Sequence, residues 1–285
     1  VRGPAWSGHD LIMVKGDPHL TVSMPGDRSR RHSDGASARR QRESEAVTVD
    51  LDESASVGGF FALRAGPPGG DGSHRPLARL YAGETGPLTA RVDTVAARLR
   101  TPERRVAASI AHLGLAARLW STALGPAALY GRFPRLDPEE LYWDGALTSP
   151  DDLWWTGSTS LPATVDQLRA TVVDGHLVPL SRAFRQDGRI SPRLLRGNAG
   201  SALAGALREL TRWSHARDRP EVAVRAAGLV SGLLAHPDLA GTVRGPALRR
   251  ATCCLYYRCP AGGLCGDCVF EHAPGSGLET RPPAP

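Results

Sequence analysis

Lysine is almost missing from this 285-residue chain: Lys15 is the only one, and every other basic side chain among the 35 Lys and Arg is arginine. With 32 glycines and 23 prolines besides, the composition matches the coding bias of a high-GC genome, so arginine by itself is no sign of phosphate binding. The formal net charge is +6, yet its densest basic run, residues 28–42, is followed at once by Glu43 and belongs to no nucleic-acid-binding module. A nucleic-acid partner is therefore not expected. No run approaches the roughly 18 apolar residues of a membrane span. Arg30-Arg31 and Arg39-Arg40 are twin arginines with no apolar region behind them, so neither reads as an export signal. No strand leads into a GxGxxG turn, and the P-loop and the GxSxG elbow are also missing. No nicotinamide, flavin or nucleotide site of the chain's own is expected. Cysteine is absent from the first 252 residues.

What is present is concentrated near the other end. All five cysteines, Cys253, Cys254, Cys259, Cys265 and Cys268, lie in ATCCLYYRCPAGGLCGDCVF, residues 251–270. Such a group can form disulfides, bind zinc or hold an iron–sulfur cluster. Disulfide scaffolds spread their cysteines over a small secreted fold, whereas this set is odd in number and confined to one stretch. Zinc asks for two knuckles that turn thiolates toward one ion. Cys265-Gly-Asp-Cys268 supplies one knuckle, but adjacent Cys253-Cys254 is an unusual second. Neighbouring side chains in an extended strand diverge, so both could reach one centre only if the chain turns there. A two-iron cluster accepts diverging thiolates more readily. Gly262, Gly263 and Gly266 permit close backbone approach and amides aimed at sulfur, and Pro260 stiffens the loop. Leu255, Tyr256, Tyr257, Leu264, Val269 and Phe270 can wall off water or pack on a helical body. Arg249, Arg250 and Arg258 can favour an anionic centre.

The pattern Cys-Cys, ten residues, Cys, two residues, Cys resembles the signature of the FhuF-like ferric siderophore reductases. The flanks RRATCCLYYR and GGLCGDC resemble that family too, as do VAASIAHLGLAARLWS and LLRGNAGSALAG more diffusely. The resemblance spans about residues 48–272. It implies that Cys253, Cys254, Cys265 and Cys268 hold a [2Fe–2S] cluster and that Cys259 is a spare thiol. Cys254-x4-Cys259 is half of a plant-type ferredoxin pattern, but the next gap of five residues breaks it.

The rest reads as mainly α with a small β component, an α+β fold in which a helical body over 48–248 precedes the cysteine segment 249–272. Residues 1–47 and 273–285 are expected to be disordered, because they lack the apolar surface to offset ordering entropy. A short strand or extended entry is expected over 47–63 and a loop over 66–72. Helical spacing follows over 76–99, interrupted at Gly86-Pro87. Thr101 is a candidate N-cap with Pro102 first in a helix that Gly125-Pro126 stops. His112 within it reads as a packing residue. Residues 141–155 suit a hairpin whose Tyr142, Trp143, Trp154 and Trp155 pack in the core or line a flat chelate. Asp151 and Asp152 read as turn residues. Further helices are expected from 162 to Asp174-Gly175, over 177–184, from Ser191-Pro192 to about Trp213, and from Pro220 to His236. Gly197, Gly200 and Gly205 imply either close packing or a break near Gly197-Asn198, because each costs about 1 kcal/mol in a helix.

The resemblance implies a cytoplasmic protein that takes single electrons from an external donor and reduces iron(III) in a ferric siderophore, releasing iron(II). Two other classes fit the residues: a [2Fe–2S] electron carrier or redox sensor without a siderophore substrate, and a zinc-stapled interaction domain. No catalytic residue outside the cysteines is singled out.

Overall fold

The computed structural model describes residues 49–69, 72–272 and 274. The expectations for 1–47 and for nearly all of 273–285 lie outside those residues. Asp50 starts α1 (Leu51–Ala55): its carboxylate accepts the amides of Asp52 and Glu53 at 2.9 and 3.0 Å. Acidic Asp52 and Glu53 suit the first turn. The strand expected over 47–63 is therefore a helix where it is described, followed by a 3₁₀ turn at Gly59–Phe61. A brief alternation of apolar residues does not outweigh a capping carboxylate.

The chain continues through β1 (Arg64–Ala65), β2 (Arg75–Pro76), α2 (Leu77–Tyr81) and α3 (Gly86–Leu99). Gly86-Pro87 opens α3 instead of interrupting a longer helix, since proline is well placed where no amide bond is required. The central helix α4 (Arg104–Tyr130) has Glu103, not Thr101, at its N-cap position, with no capping bond from that side chain, and runs straight through Gly125-Pro126. Internal proline costs about 3 kcal/mol, but nearly every residue of α4 from Val106 to Leu129 is buried. A Cβ at Gly125 would lie 2.7 Å from the Phe61 ring, so this glycine marks a close contact and not a helix end.

After β3 (Arg132–Pro134), the hairpin of β4 (Leu141–Trp143) and β5 (Leu153–Trp155) forms as expected, with Leu141 opposite Trp155 and Tyr142 opposite Trp154. The small sheet has the order β1-β5-β4-β2, and β6 (Ser160–Pro162) pairs with β3. Trp143 and Trp155 are core residues. Asp152 is more than a turn residue: it is buried and paired with Arg118 at 2.9 Å.

α5 (Val165–Leu168) does not end near Asp174-Gly175. It passes into a π-helical stretch, Arg169–Leu177, and then α6 (Val178–Asp187). Fully buried His176 anchors the widened turn through Leu136 O at 2.7 Å and the Tyr81 hydroxyl at 2.9 Å. α7 (Pro192–Ala216) is unbroken at Gly197-Asn198, and α8 (Pro220–Ala235) ends before Pro237 as expected. α7 packs along α4, with α8 against both. A hairpin that the sequence pattern missed, β7 (Val243–Arg244) with β8 (Arg249–Arg250), then lays the cysteine segment on α7. The architecture is mainly α with a small β component.

Candidate metal centre

Two glycines of α7 explain where the cysteine segment sits. A Cβ at Gly197 would lie 1.8 Å from Thr252 Oγ1, and one at Gly200 would lie 2.0 Å from Thr242 Oγ1. The helix tolerates the conformational cost of glycine because the Thr252 and Thr242 side chains lie almost against its backbone. On that face Asn198 and Ser201 are also buried, and each holds a residue of the segment.

The chain does turn after the cysteine pair. Leu255 adopts a left-handed conformation with φ 72°, costing a branched residue about 1–2 kcal/mol. The 3₁₀ turn Tyr256–Arg258 follows. The turn aims amides back at sulfur: Leu255 N–H donates to Cys253 Sγ at 3.2 Å, and the Tyr256 amide faces Cys254. Near the other knuckle, Phe270 N–H donates to Cys268 Sγ at 3.4 Å. These donors are not the glycines expected from the sequence. Gly262 has a different task, since a Cβ there would meet Tyr256 O at 2.2 Å.

All five cysteines are free thiols; Cys254, Cys259, Cys265 and Cys268 are buried and Cys253 half-buried. Cys254 and Cys265 are in hydrogen-bond contact. That contact, helped by Arg250 against the cost of burial, brings the Cys254 thiol down to about 6. The same contact pushes Cys265 up, reinforced by burial. Burial raises Cys253 and Cys259, with the charge of Cys254 adding to each. Thus Cys253, Cys254 and Cys265 are electrostatic neighbours, with Cys268 acting on Cys253 and Cys259 within reach of Cys254. Among the described residues, no three His, Cys, Asp or Glu side chains form a ready-made cage for a single ion.

The remaining contacts come from side chains that the sequence did not single out. Ser109 of α4 donates to Cys254 O at 2.8 Å. Asn198 Nδ2 donates to Ser109 O and Oγ at 2.9 and 3.2 Å. Ser201 donates to Asp267 Oδ2 at 2.6 Å, and the Cys265 thiol lies 3.7 Å from Asp267 Oδ1. Asp267 O in turn accepts the Arg250 amide at 3.0 Å. The glycine-bearing stretch GNAGS in α7 was the one hint of this, readable as close packing but not as hydrogen bonding.

The three arginines divide. Arg250 is buried at 1% exposure, its Nη2 donating to Asn198 Oδ1 at 2.5 Å and its Nε to Thr252 O at 2.5 Å. Nη1 has no hydrogen-bond partner. Burial works against the charge of Arg250, but Cys254, Asp267 and Cys265 more than offset it and hold the group above its ordinary value. Arg249 clamps Cys268 O at 2.7 and 3.0 Å and Phe270 O at 3.1 Å. Arg258 is exposed and pairs with Glu103 at 2.7 Å. His112 is buried against Phe184 and lies 3.4 Å from Ser181 Oγ, as a packing residue would.

The donor set fits an anionic thiolate-ligated cluster. It offers four unoxidised thiols in CC and CxxC order, amides directed at three sulfurs and an unpartnered buried guanidinium nitrogen. The family described as FhuF 2Fe-2S C-terminal domain matches residues 250–270. No curated protein matches the chain. Among the described residues, no helix is long and apolar enough to cross a membrane. Residues 250–270 are therefore similar to a FhuF-type C-terminal domain, and the cofactor of this segment is a [2Fe–2S] cluster.

Proposed function

We propose that the chain is a cytoplasmic reductase of ferric siderophores, with Cys253, Cys254, Cys265 and Cys268 as the cluster ligands and Cys259 left as a spare thiol. The observation that carries this reading is the match of residues 250–270 to a FhuF-type domain, a segment in which Cys254 and Cys265 lie within electrostatic reach of the buried Arg250. When bound, a [2Fe–2S] cluster supplies one-electron transfer. An external one-electron donor gives up one electron, and the siderophore's iron(III) takes it to become iron(II). Iron(II) is the softer ion, and oxygen-rich hydroxamate or catecholate ligands hold it less firmly, so the chelate opens.

The body contributes a place for a chelate near the segment. A cleft of about 390 Å³ is lined by Val173, Leu177, Arg182, Arg185, Arg196 and Ala199, among others. Arg196 and Ala199 lie on a different side of α7 from Asn198 and Ser201, so this helix borders both the cleft and the cysteine segment.

The test uses anaerobically purified, dithionite-reduced protein. Equal iron and acid-labile sulfide with a [2Fe–2S] EPR signal should be found first. Mixing with a ferric hydroxamate should then reoxidise the protein and yield iron(II) in a colorimetric trap. Stoichiometric zinc without sulfide would leave a stapled interaction domain, and reoxidation indifferent to the chelate would leave an electron carrier or sensor.

A further inference from the structure

Asn198 lies outside the cysteine segment, yet it completes a ring of contacts around it. Its Oδ1 accepts from Arg250 Nη2 at 2.5 Å; its Nδ2 donates to Ser109 at 2.9 and 3.2 Å; Ser109 Oγ donates to Cys254 O at 2.8 Å. The amide can face only one way. A guanidinium has donors alone, and the Ser109 carbonyl accepts alone, so oxygen must meet Arg250 and nitrogen must meet Ser109. Asn198 is fully buried, and its neighbour Gly197 allows the approach by fitting under Thr252, whose carbonyl takes Arg250 Nε.

We infer that Asn198 is a positioning residue for electron transfer: its neutral amide fixes the Arg250 guanidinium beside Cys254 and Cys265 without cancelling its charge. The inference rests on those cysteines being cluster ligands. A carboxylate in this place would hold the guanidinium but would discharge it, and would set its second oxygen against the Ser109 carbonyl. An apolar side chain would leave Arg250 Nη2 without its amide partner in a dry site and remove the bonds to Ser109. An amide avoids both faults. The cation then has the sulfurs of Cys254 and Cys265, with the Asp267 carboxylate between them in strength, as its counter-charge, and a nearby cation favours the more negative, reduced state of a thiolate-bound centre. A residue of the central helix pair thereby sets how readily the centre accepts an electron.

The experiment is protein-film voltammetry on iron-loaded full-length protein, with iron and sulfide content measured on each sample. Asn198→Asp, which is isosteric, should keep full cluster content and shift the oxidised-to-reduced ratio about tenfold toward oxidised, about 59 mV lower for one electron. Asn198→Ala should shift it in the same direction by a smaller factor. In an Arg250→Met background Asn198→Ala should add nothing, because its effect runs through the guanidinium. A wild-type midpoint in fully loaded Asn198→Asp protein overturns the inference, as does an Asn198→Ala shift of equal size in both backgrounds. Wild-type protein that carries no cluster defeats the ligand assignment instead, so the two failures are distinct.

Discussion

Arg118 and Arg250 are both almost fully buried, and the protein treats them in opposite ways. Arg118 on α4 faces the small sheet, where its charge meets Asp152 at 2.9 Å and its Nη1 reaches the carbonyls of Gly59 and Phe60. It is neutralised inside the protein and ties the 3₁₀ turn and β5 to the central helix. Arg250 is held by a neutral amide and a carbonyl and has no ion pair among the described residues. A buried charge without a partner is costly, so its placement makes sense where an anion is to be bound. The first arginine is architecture, and the second is an invitation to a negatively charged group.

The strongest way to break this contrast is to remove the anion. Cys254→Ser should abolish the cluster, seen as loss of the red-brown colour and of iron and sulfide together. Cys259→Ser should retain all three. Equal loss in both variants would place the spare thiol among the ligands and undo the assignment.

Removing the cations comes next. Arg118→Met leaves Asp152 buried and unpaired, so chemical denaturation should report a loss of about 3–5 kcal/mol. Arg250→Met should cost less than Arg118→Met in iron-free protein, where the guanidinium lacks its full counter-charge. In loaded protein it should lower the midpoint potential, by about 59 mV for each tenfold change. If Arg118→Met lowered the potential as much as Arg250→Met, the division between the two arginines would fail.

The sequence showed this contrast only in part. Clustering along the chain marked all five cysteines, and the resemblance of the Cys-Cys-x10-Cys-x2-Cys pattern to a known family singled out Cys253, Cys254, Cys265 and Cys268 among them. Arg250 stood out for the same local reason. Asn198, Ser109 and Ser201 did not, since their partners are 52 to 145 residues away and a buried Asn or Ser leaves no period in the sequence. Helix existence was legible from the apolar stripes, but punctuation was misread. Gly125-Pro126 and Asp174-Gly175 looked like ends, and tertiary burial carried the helices through both. Asp50 looked like part of a strand, and its capping contacts could be seen only once the backbone had turned.

A third test sets the buried cations against buried neutral bases. His112 and His176 are fully buried, and desolvation lowers their pKa values to about 3 and about 4. Both therefore stay neutral in the fold, whereas the unfolded chain takes up protons near 6.5. Their contribution to stability is complete above pH 6.5 and falls as pH drops toward 4 and 3. Each imidazole should remove about 2 kcal/mol by pH 5. His112→Gln should flatten the stability profile between pH 6.5 and 5; an unchanged slope would mean that His112 charges freely in the fold. Arg250, held above its ordinary value, should add no slope in this window, since its guanidinium keeps its proton there.

The smallest effect should come from Gly197→Ala, and it bears on Arg250 alone. The new methyl would fall 1.8 Å from Thr252 Oγ1, so Thr252 must move. Its hydroxyl has no hydrogen bond to lose, which keeps the cost near the low end for overpacking, about 1 kcal/mol. But the carbonyl of the same residue takes Arg250 Nε, so a shift of Thr252 pulls on the guanidinium. Denaturation should therefore register little while the midpoint potential falls measurably. Glycine at 125 offers the matched control on the Arg118 side, where a methyl would press on the Phe61 ring 2.7 Å away. Gly125→Ala should lower stability and leave the potential alone. If the two variants affected stability and potential in the same proportion, the close packing of α7 on the segment would be ordinary core and not part of what positions the cation.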